Sequence, residues 1–317
     1  MKRKDVLDLD DFGADEITQV LDTADAMKEV LSRPIRRVPT LRGKTVVNLF
    51  YEASTRTRVS FELAAKNLSA DVVNVTATGS AVEKGESLVD TIRTLQALGA
   101  DFLVMRHGQA GAPYLVARNV ASSVINAGDG AHAHPTQALL DLYTIRERLG
   151  RLAGLSVVIV GDILHSRVAR SNVWGFAAVG ARVTLCGPQT MLPFLGGNGA
   201  ATAYPDVAVE TDCDRAIAGA DVVMVLRLQR ERQQGGLLPS LREYARLYQL
   251  TAPRLAAAGP RVLVMHPGPM NEGIEIAPDV AHGAQSVIED QVTNGVAVRM
   301  ALLYLLAGGR PGGAISG

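Results

Sequence analysis

The segment "FYEASTRTRVSFE", residues 50–62, sets three hydroxyl groups, on Ser54, Thr55 and Thr57, around the guanidinium groups of Arg56 and Arg58. The apolar run "TVVNLF" (45–50) precedes the cluster and the helix-spaced run "VSFELAAKNL" (59–68) follows it, so the cluster falls on a strand-to-helix turn. The first turn of a helix offers N–H groups with no intrahelical acceptor and the positive end of the helix dipole. Hydroxyls and a guanidinium added there make a cradle for a phosphate-like dianion. A helix cap alone needs one hydroxyl. Three of them interleaved with arginines fit the anion better.

Other segments carry further candidates. Arg106 follows "DFLVM" (101–105) and leaves the carboxyl end of that strand, on the same sheet edge as the cradle. It either serves an anion and a carbonyl oxygen or caps a surface loop. "AHAHPTQALLDL" (131–142) places His134 just before a helix whose Pro135 suits the first helical position, with Gln137 three residues on. His134 is then a donor to a carbonyl oxygen or a satisfied structural histidine. His132 and His134 have no third ligand at matching spacing, so no metal is expected. "VGDILHSRVARS" (160–171) lacks the Gly-x-Gly-x-x-Gly spacing of a dinucleotide turn. Its Arg167 opens a helix against the dipole, which points to a functional demand. "LRLQRER" (226–232) is a solvated loop, or an extended segment with Arg227 and Gln229 on one side facing a dicarboxylate. "MHPGPMNEG" (265–273) breaks the strand "RVLVM" with Pro267, Gly268 and Pro269.

The elements that must hold these residues follow from the pattern. Short apolar runs, among them residues 71–75, 101–105, 122–126, 155–162, 181–186, 220–226 and 261–267, alternate with amphipathic segments such as 88–98, 136–149 and 168–179. That is the signature of parallel sheets covered on both faces by helices. The series restarts at "RLAGLSVVIVGD" (151–162), which sets a boundary near residue 150. A final helix over 290–306 with no strand after it is expected to return to the first domain. The 317 residues, 47% hydrophobic and 20% charged, are enough for two buried cores. Lys plus Arg equals Asp plus Glu at 32 each, so no net field recommends nucleic acid or an anionic membrane as a partner. Acidic residues interrupt every apolar run near the N-terminus, giving no expected signal peptide or span and a cytoplasmic reading. Cys186 and Cys213 are too few for a disulfide framework or a zinc site and read as buried thiols.

Taken in order, "FYEASTRTRVSFE", "SAVEKGESLVDT" (80–91), "MRHGQAGAP" (105–113), "NAGDGAHAHPTQALLDLYTI" (126–145), "VGDILHSRVARSN" (160–172), "VLRLQRER" (225–232) and "HPGPMNEGIEI" (266–276) resemble the aspartate and ornithine carbamoyltransferase family along essentially the whole chain. The resemblance implies two doubly wound α/β domains, each with a mainly parallel sheet, with the active site in the cleft between them. Residues 1–149, joined by a C-terminal helix within 289–317, would bind carbamoyl phosphate, and 150–288 would bind L-aspartate. Ser54, Thr55, Arg56, Thr57, Arg106, His134 and Gln137 would hold carbamoyl phosphate, with the main-chain carbonyls of Pro267 and Gly268. Thr55, Arg56, Arg106, His134 and Lys84 would be the catalytic set. Arg167, Arg227, Gln229 and Lys84 would hold aspartate. Ser80 and Lys84 would reach in from the neighbouring subunit of a homotrimer with shared sites. The family needs neither metal nor cofactor. It leaves open regulatory chains or a dihydroorotase as partners, allosteric control, and ornithine as the alternative acceptor. Ornithine enzymes carry a cysteine in the turn that is His266–Pro269 here, and an acidic partner for the ornithine side chain. This sequence has neither, and the basic 227–232 loop suits an anionic acceptor.

Overall fold

The computed structural model describes residues 1–76, 87–193, 207–228 and 240–308. The chain divides into two compact units, Met1–Tyr143 with Thr293–Gly317, and Thr144–Val292. The first unit holds β1 (Thr45–Phe50), β2 (Asp71–Thr76), β3 (Phe102–His107) and β4 (Ser123–Asp129), all parallel in the order β2-β1-β3-β4. Five of the six residues of β1 are buried, as a strand covered on both faces requires. Its helices are α1 (Ala14–Ser32), α2 (Thr55–Asn67), α3 (Leu88–Ala97), α4 (Ala112–Asn119) and α5 (Pro135–Leu149). In α1 the spacing of Ile17, Val20, Leu21, Ala24, Met27 and Val30 buries one stripe.

The second unit holds β5 (Ser156–Val160), β6 (Arg182–Cys186), β7 (Ala208–Glu210), β8 (Val222–Val225) and β9 (Leu263–Met265), again all parallel, in the order β7-β6-β5-β8-β9. With it go α6 (Arg167–Ala178), α7 (Cys213–Ile217), α8 (Leu241–Tyr248), α9 (Ala252–Leu255), α10 (Pro278–Ala281) and α11 (Ile288–Leu306). The division between the units falls inside α5 and inside α11. The later part of α11 joins the first unit through Lys28 Nζ, which donates to Asn294 Oδ1 at 2.8 Å, and through Arg299, whose NH1 donates to Ser60 Oγ at 2.8 Å. Among the described residues no helix is long and apolar enough to cross a membrane.

Both sheets reverse their winding direction once. In the first this happens between β1 and β3, and in the second between β5 and β8. Connections from such neighbouring strands leave the sheet on opposite faces, which opens a crevice at their carboxyl ends. Ser54 to Arg58, Arg167 and Arg227 follow β1, β5 and β8, and Arg106 stands at the carboxyl end of β3. In each unit the winding order therefore sets that unit's candidates at its own crevice before any side chain is considered.

The turn after β5 is held tightly against the end of β6. Gly161 N–H donates to the Cys186 carbonyl at 2.8 Å, and a Cβ on Gly187 would stand 2.3 Å from the Gly161 carbonyl oxygen. Gly187→Ala must therefore push the two turns apart, and about 1–3 kcal/mol of stability should be lost. Denaturant unfolding reads it, and a midpoint equal to that of the parent protein would contradict this packing.

Candidate active site

Ser54 takes the N-cap position of α2, in extended backbone, and its hydroxyl accepts no hydrogen bond from the helix it precedes. Three other serine N-caps in this chain behave differently. Ser87 accepts from Asp90 N–H, Ser166 from Ala169 N–H and Ser240 from Glu243 N–H. No acidic residue stands in the first turn of α2, whose members are Thr55, Arg56 and Thr57. The helix begins at Thr55, four residues before the apolar spacing first shows it, so the hydroxyl and guanidinium cluster is itself the first turn. Its first turn thus carries N–H donors, hydroxyls and positive charge, and no acid of its own.

Arg106 lies beside Phe50 in the β1–β3 register, which sets it next to the strand-to-helix turn. One guanidinium nitrogen meets Glu52 Oε1 at 2.6 Å and another donates to the Ala127 carbonyl at 3.2 Å. Two contacts from one planar fork fix its orientation. Glu52 was not legible as a partner in the sequence. Its signal is positional, two residues past β1 and opposite the strand end that carries Arg106.

His134 is buried immediately before α5, and its carbonyl accepts from Gln137 N–H at 3.0 Å and from Ala138 N–H at 3.3 Å. Gln137 Nε2 donates to Asp141 Oδ1 one turn on, at 3.1 Å, so the amide is held from behind. The loop leading to His134 is anchored by buried Asp129, which accepts from Gly111 N–H (2.7 Å), Asn126 Nδ2 (2.8 Å) and Ala133 N–H (3.0 Å). His132 stands between Asp129, 3.1 Å from Nδ1, and Asp8, 3.6 Å from Nε2. That arrangement makes it part of the loop's support.

In the second unit Arg167 is the first residue of α6 and only 3% exposed, while Ser166 caps the helix. Asp162 in the turn before it accepts from His165 N–H and faces His165 Nδ1 at 2.8 Å. Arg227 is half-buried just past β8, between the buried Leu226 and Leu228. The turn after β9 is built on His266. Its Nδ1 accepts from Gly268 N–H at 2.8 Å, so the proton of the neutral ring is on Nε2, which donates to buried Glu275 Oε1 at 3.2 Å. Glu275 also accepts from Asn271 N–H at 2.6 Å and Asn271 Nδ2 at 3.1 Å. Gly268 has a positive φ of 60° and the Gly268–Pro269 peptide bond is cis. Ser80, Lys84 and Gln229, expected to contribute to the site, lie outside the described residues.

Residues 4–147 match the profile of the aspartate/ornithine carbamoyltransferase carbamoyl-P binding domain, and residues 153–306 that of the Asp/Orn binding domain. The chain belongs to this family. It is 67% identical over 309 residues to the aspartate carbamoyltransferase catalytic subunit of Roseiflexus castenholzii, covering 97% of this chain and 96% of that one. Its fold is similar to the crystal structure of aspartate transcarbamoylase from Trypanosoma cruzi in complex with N-(phosphonacetyl)-L-aspartic acid, with TM-score 0.85, 30% identity, and coverage of 95% and 94% of the two chains. It is as similar to ornithine carbamoyltransferase from Pyrococcus furiosus, with TM-score 0.84, 30% identity and coverage of 96% and 97%. Carbamoyltransferases of both acceptor types therefore share this fold, and the fold does not choose between them.

Within this carbamoyltransferase the His266–Glu275 pair is the support of the Pro267–Gly268 turn. Glu275→Ala would leave His266 Nε2–H and the Asn271 donors buried without their acceptor. A loss of about 2–4 kcal/mol of stability is expected, measured as a shift in the unfolding midpoint. A change below about 0.5 kcal/mol would mean that the pair does not hold the turn.

Proposed function

We propose that this chain transfers the carbamoyl group of carbamoyl phosphate to the α-amino group of L-aspartate, giving N-carbamoyl-L-aspartate and phosphate. The observation that carries the reading is the head of α2, where Ser54 does not cap and no acid fills the first turn. A helix start of that kind favours a dianion. Relatives at 66–67% identity named aspartate carbamoyltransferase catalytic subunit support aspartate as the acceptor. The compound held by the trypanosomal relative joins a phosphonate to aspartate, which pairs the two anionic groups required here. Arginine at 167 and 227 suits a dicarboxylate, whereas the cationic side chain of ornithine would be repelled.

In this reading carbamoyl phosphate lies against Ser54, Thr55, Arg56, Thr57, Arg106 and Gln137, with the carbonyls of Pro267 and Gly268 accepting from its amino group. Arg167, Arg227 and Gln229 take the carboxylates of aspartate, and Lys84 meets both substrates. The aspartate amine attacks the carbonyl carbon, the oxyanion is stabilised by Thr55, Arg106 and His134, and the C–O bond to phosphate breaks as the carbonyl reforms. The departing phosphate takes the amine proton. Phosphate is already a good leaving group, so positioning and charge stabilisation can supply the acceleration without a covalent intermediate.

The two anion sets should separate on mutation. Arg56→Ala removes charge-assisted contacts to the phosphate and should cost at least about 2 kcal/mol of transition-state stabilisation, roughly thirtyfold in rate. Arg227→Ala should raise the aspartate requirement strongly while leaving carbamoyl phosphate binding in the absence of aspartate nearly intact. Unchanged turnover in the first variant, or equal damage to both ligands in the second, would overturn the assignments.

The reading extends to a cytoplasmic homotrimer acting early in pyrimidine biosynthesis, with Ser80 and Lys84 supplied across a subunit interface. In a cyclic trimer each site is then made from two chains. Arg56→Ala and Lys84→Ala chains, each nearly inactive, should complement when unfolded together and reassembled. Random equal mixing makes about three quarters of the trimers mixed, each with one intact site in three, so about a quarter of full activity should return. Mixed trimers as inactive as their parents would place Lys84 in its own chain's site.

A further inference from the structure

Arg299 on α11 is 4% exposed, yet it is a full guanidinium charge. Its NH1 donates to Ser60 Oγ on α2 at 2.8 Å and its guanidinium carbon lies over the Phe61 ring, 5.0 Å from the centroid. Its Nε is buried with no hydrogen-bond partner. Room for it is made by Gly295, where a Cβ would come within 2.5 Å of NH1. Burial pulls its pKa down to about 10, with the negative charge of Asp141 opposing that fall and the positive charge of Arg106 adding to it. A buried cation is costly, and replacement by an apolar side chain of similar volume is often neutral or stabilising. Packing alone therefore does not account for an arginine here.

Its neighbours connect the residue to the anion site. Ser60 and Phe61 belong to the helix whose first turn is Thr55, Arg56 and Thr57. Gly295 itself packs on α5, where a Cβ on it would come within 3.2 Å of Leu140 Cδ2, and the next residue, Asp141, takes the Gln137 amide at 3.1 Å. Arg106 is the strand-end cation itself. We propose that Arg299 is a positioning residue of the carbamoyl phosphate site, fixing α2 and the Asp141–Gln137 pair of α5 against each other so that the head of α2 and Gln137 face one anion.

The proposal rests on the reading of the α2 head as a phosphate site, and the two are separable by calorimetric titration of the full chain with inorganic phosphate. The wild type binding phosphate, and losing it in Arg56→Ala, supports the site itself. Arg299→Met, which keeps apolar volume and removes charge and fork, should then weaken phosphate at least about tenfold. Arg299→Lys restores the charge but, as a point donor, not both directions. It should recover part of the loss, and Ser60→Ala, which cuts one of the links and leaves the charge, should lose affinity by less than Arg299→Met does. Steady-state kinetics should show the carbamoyl phosphate KM rising in all three variants while the aspartate KM stays at its wild-type value. Folded Arg299→Met with wild-type phosphate affinity would overturn the proposal. Should that variant not fold, wild-type affinity in both Arg299→Lys and Ser60→Ala would overturn it equally. A wild type that binds no phosphate would remove the site and the proposal together.

Discussion

Every helix start has N–H groups that must find acceptors, and at the head of α2 the N-cap serine does not provide one. The same residue type caps α3, α6 and α8 in the ordinary way. Leaving such a cap unmade forgoes about 1 kcal/mol of helix stability. Arginine in the first turn adds repulsion from the helix dipole. In the proposed function both penalties are relieved by one event, the arrival of a dianion, at a site that would bind its ligand through what folding leaves unsatisfied.

The two units use one topological device, each in its own sheet. β1 and β3 flank the reversal of winding in the first sheet, β5 and β8 in the second. At or beyond the carboxyl ends of these four strands stand the cradle, Arg106, Arg167 and Arg227. Rigid support then comes from buried or half-buried groups that touch no substrate in this account. Glu52 orients Arg106, Asp129 holds the loop before His134, Asp141 holds Gln137, and Glu275 with His266 holds the Pro267–Gly268 turn. Such constellations tolerate little displacement, because transfer between two bound reactants depends on their alignment.

Much of this was legible in the sequence, for physical reasons. The apolar strands followed by charged or hydroxyl residues announced the parallel sheets, with the candidate residues at or beyond the strands' carboxyl ends. Pro135 marked the start of α5 because proline fits a first helical turn. What stayed hidden were relations that depend on tertiary placement. The start of α2 at Thr55 was masked because its first turn is polar. The edge strand β7, three residues with an exposed surface, has no apolar run to reveal it. Glu52, Asp129, Glu275 and Arg299 are charged residues that composition alone would place in solvent. Only the register and helix packing show the partners that make their burial tolerable.

The central claim is that the first-turn N–H groups of α2 bind the phosphate group. Residue-resolved hydrogen exchange, with and without carbamoyl phosphate, measures this at the donors themselves. The account predicts that the amides of Thr55, Arg56 and Thr57 become strongly protected on binding, while those late in the same helix change little. Saturating carbamoyl phosphate with no added protection at those three amides would contradict it.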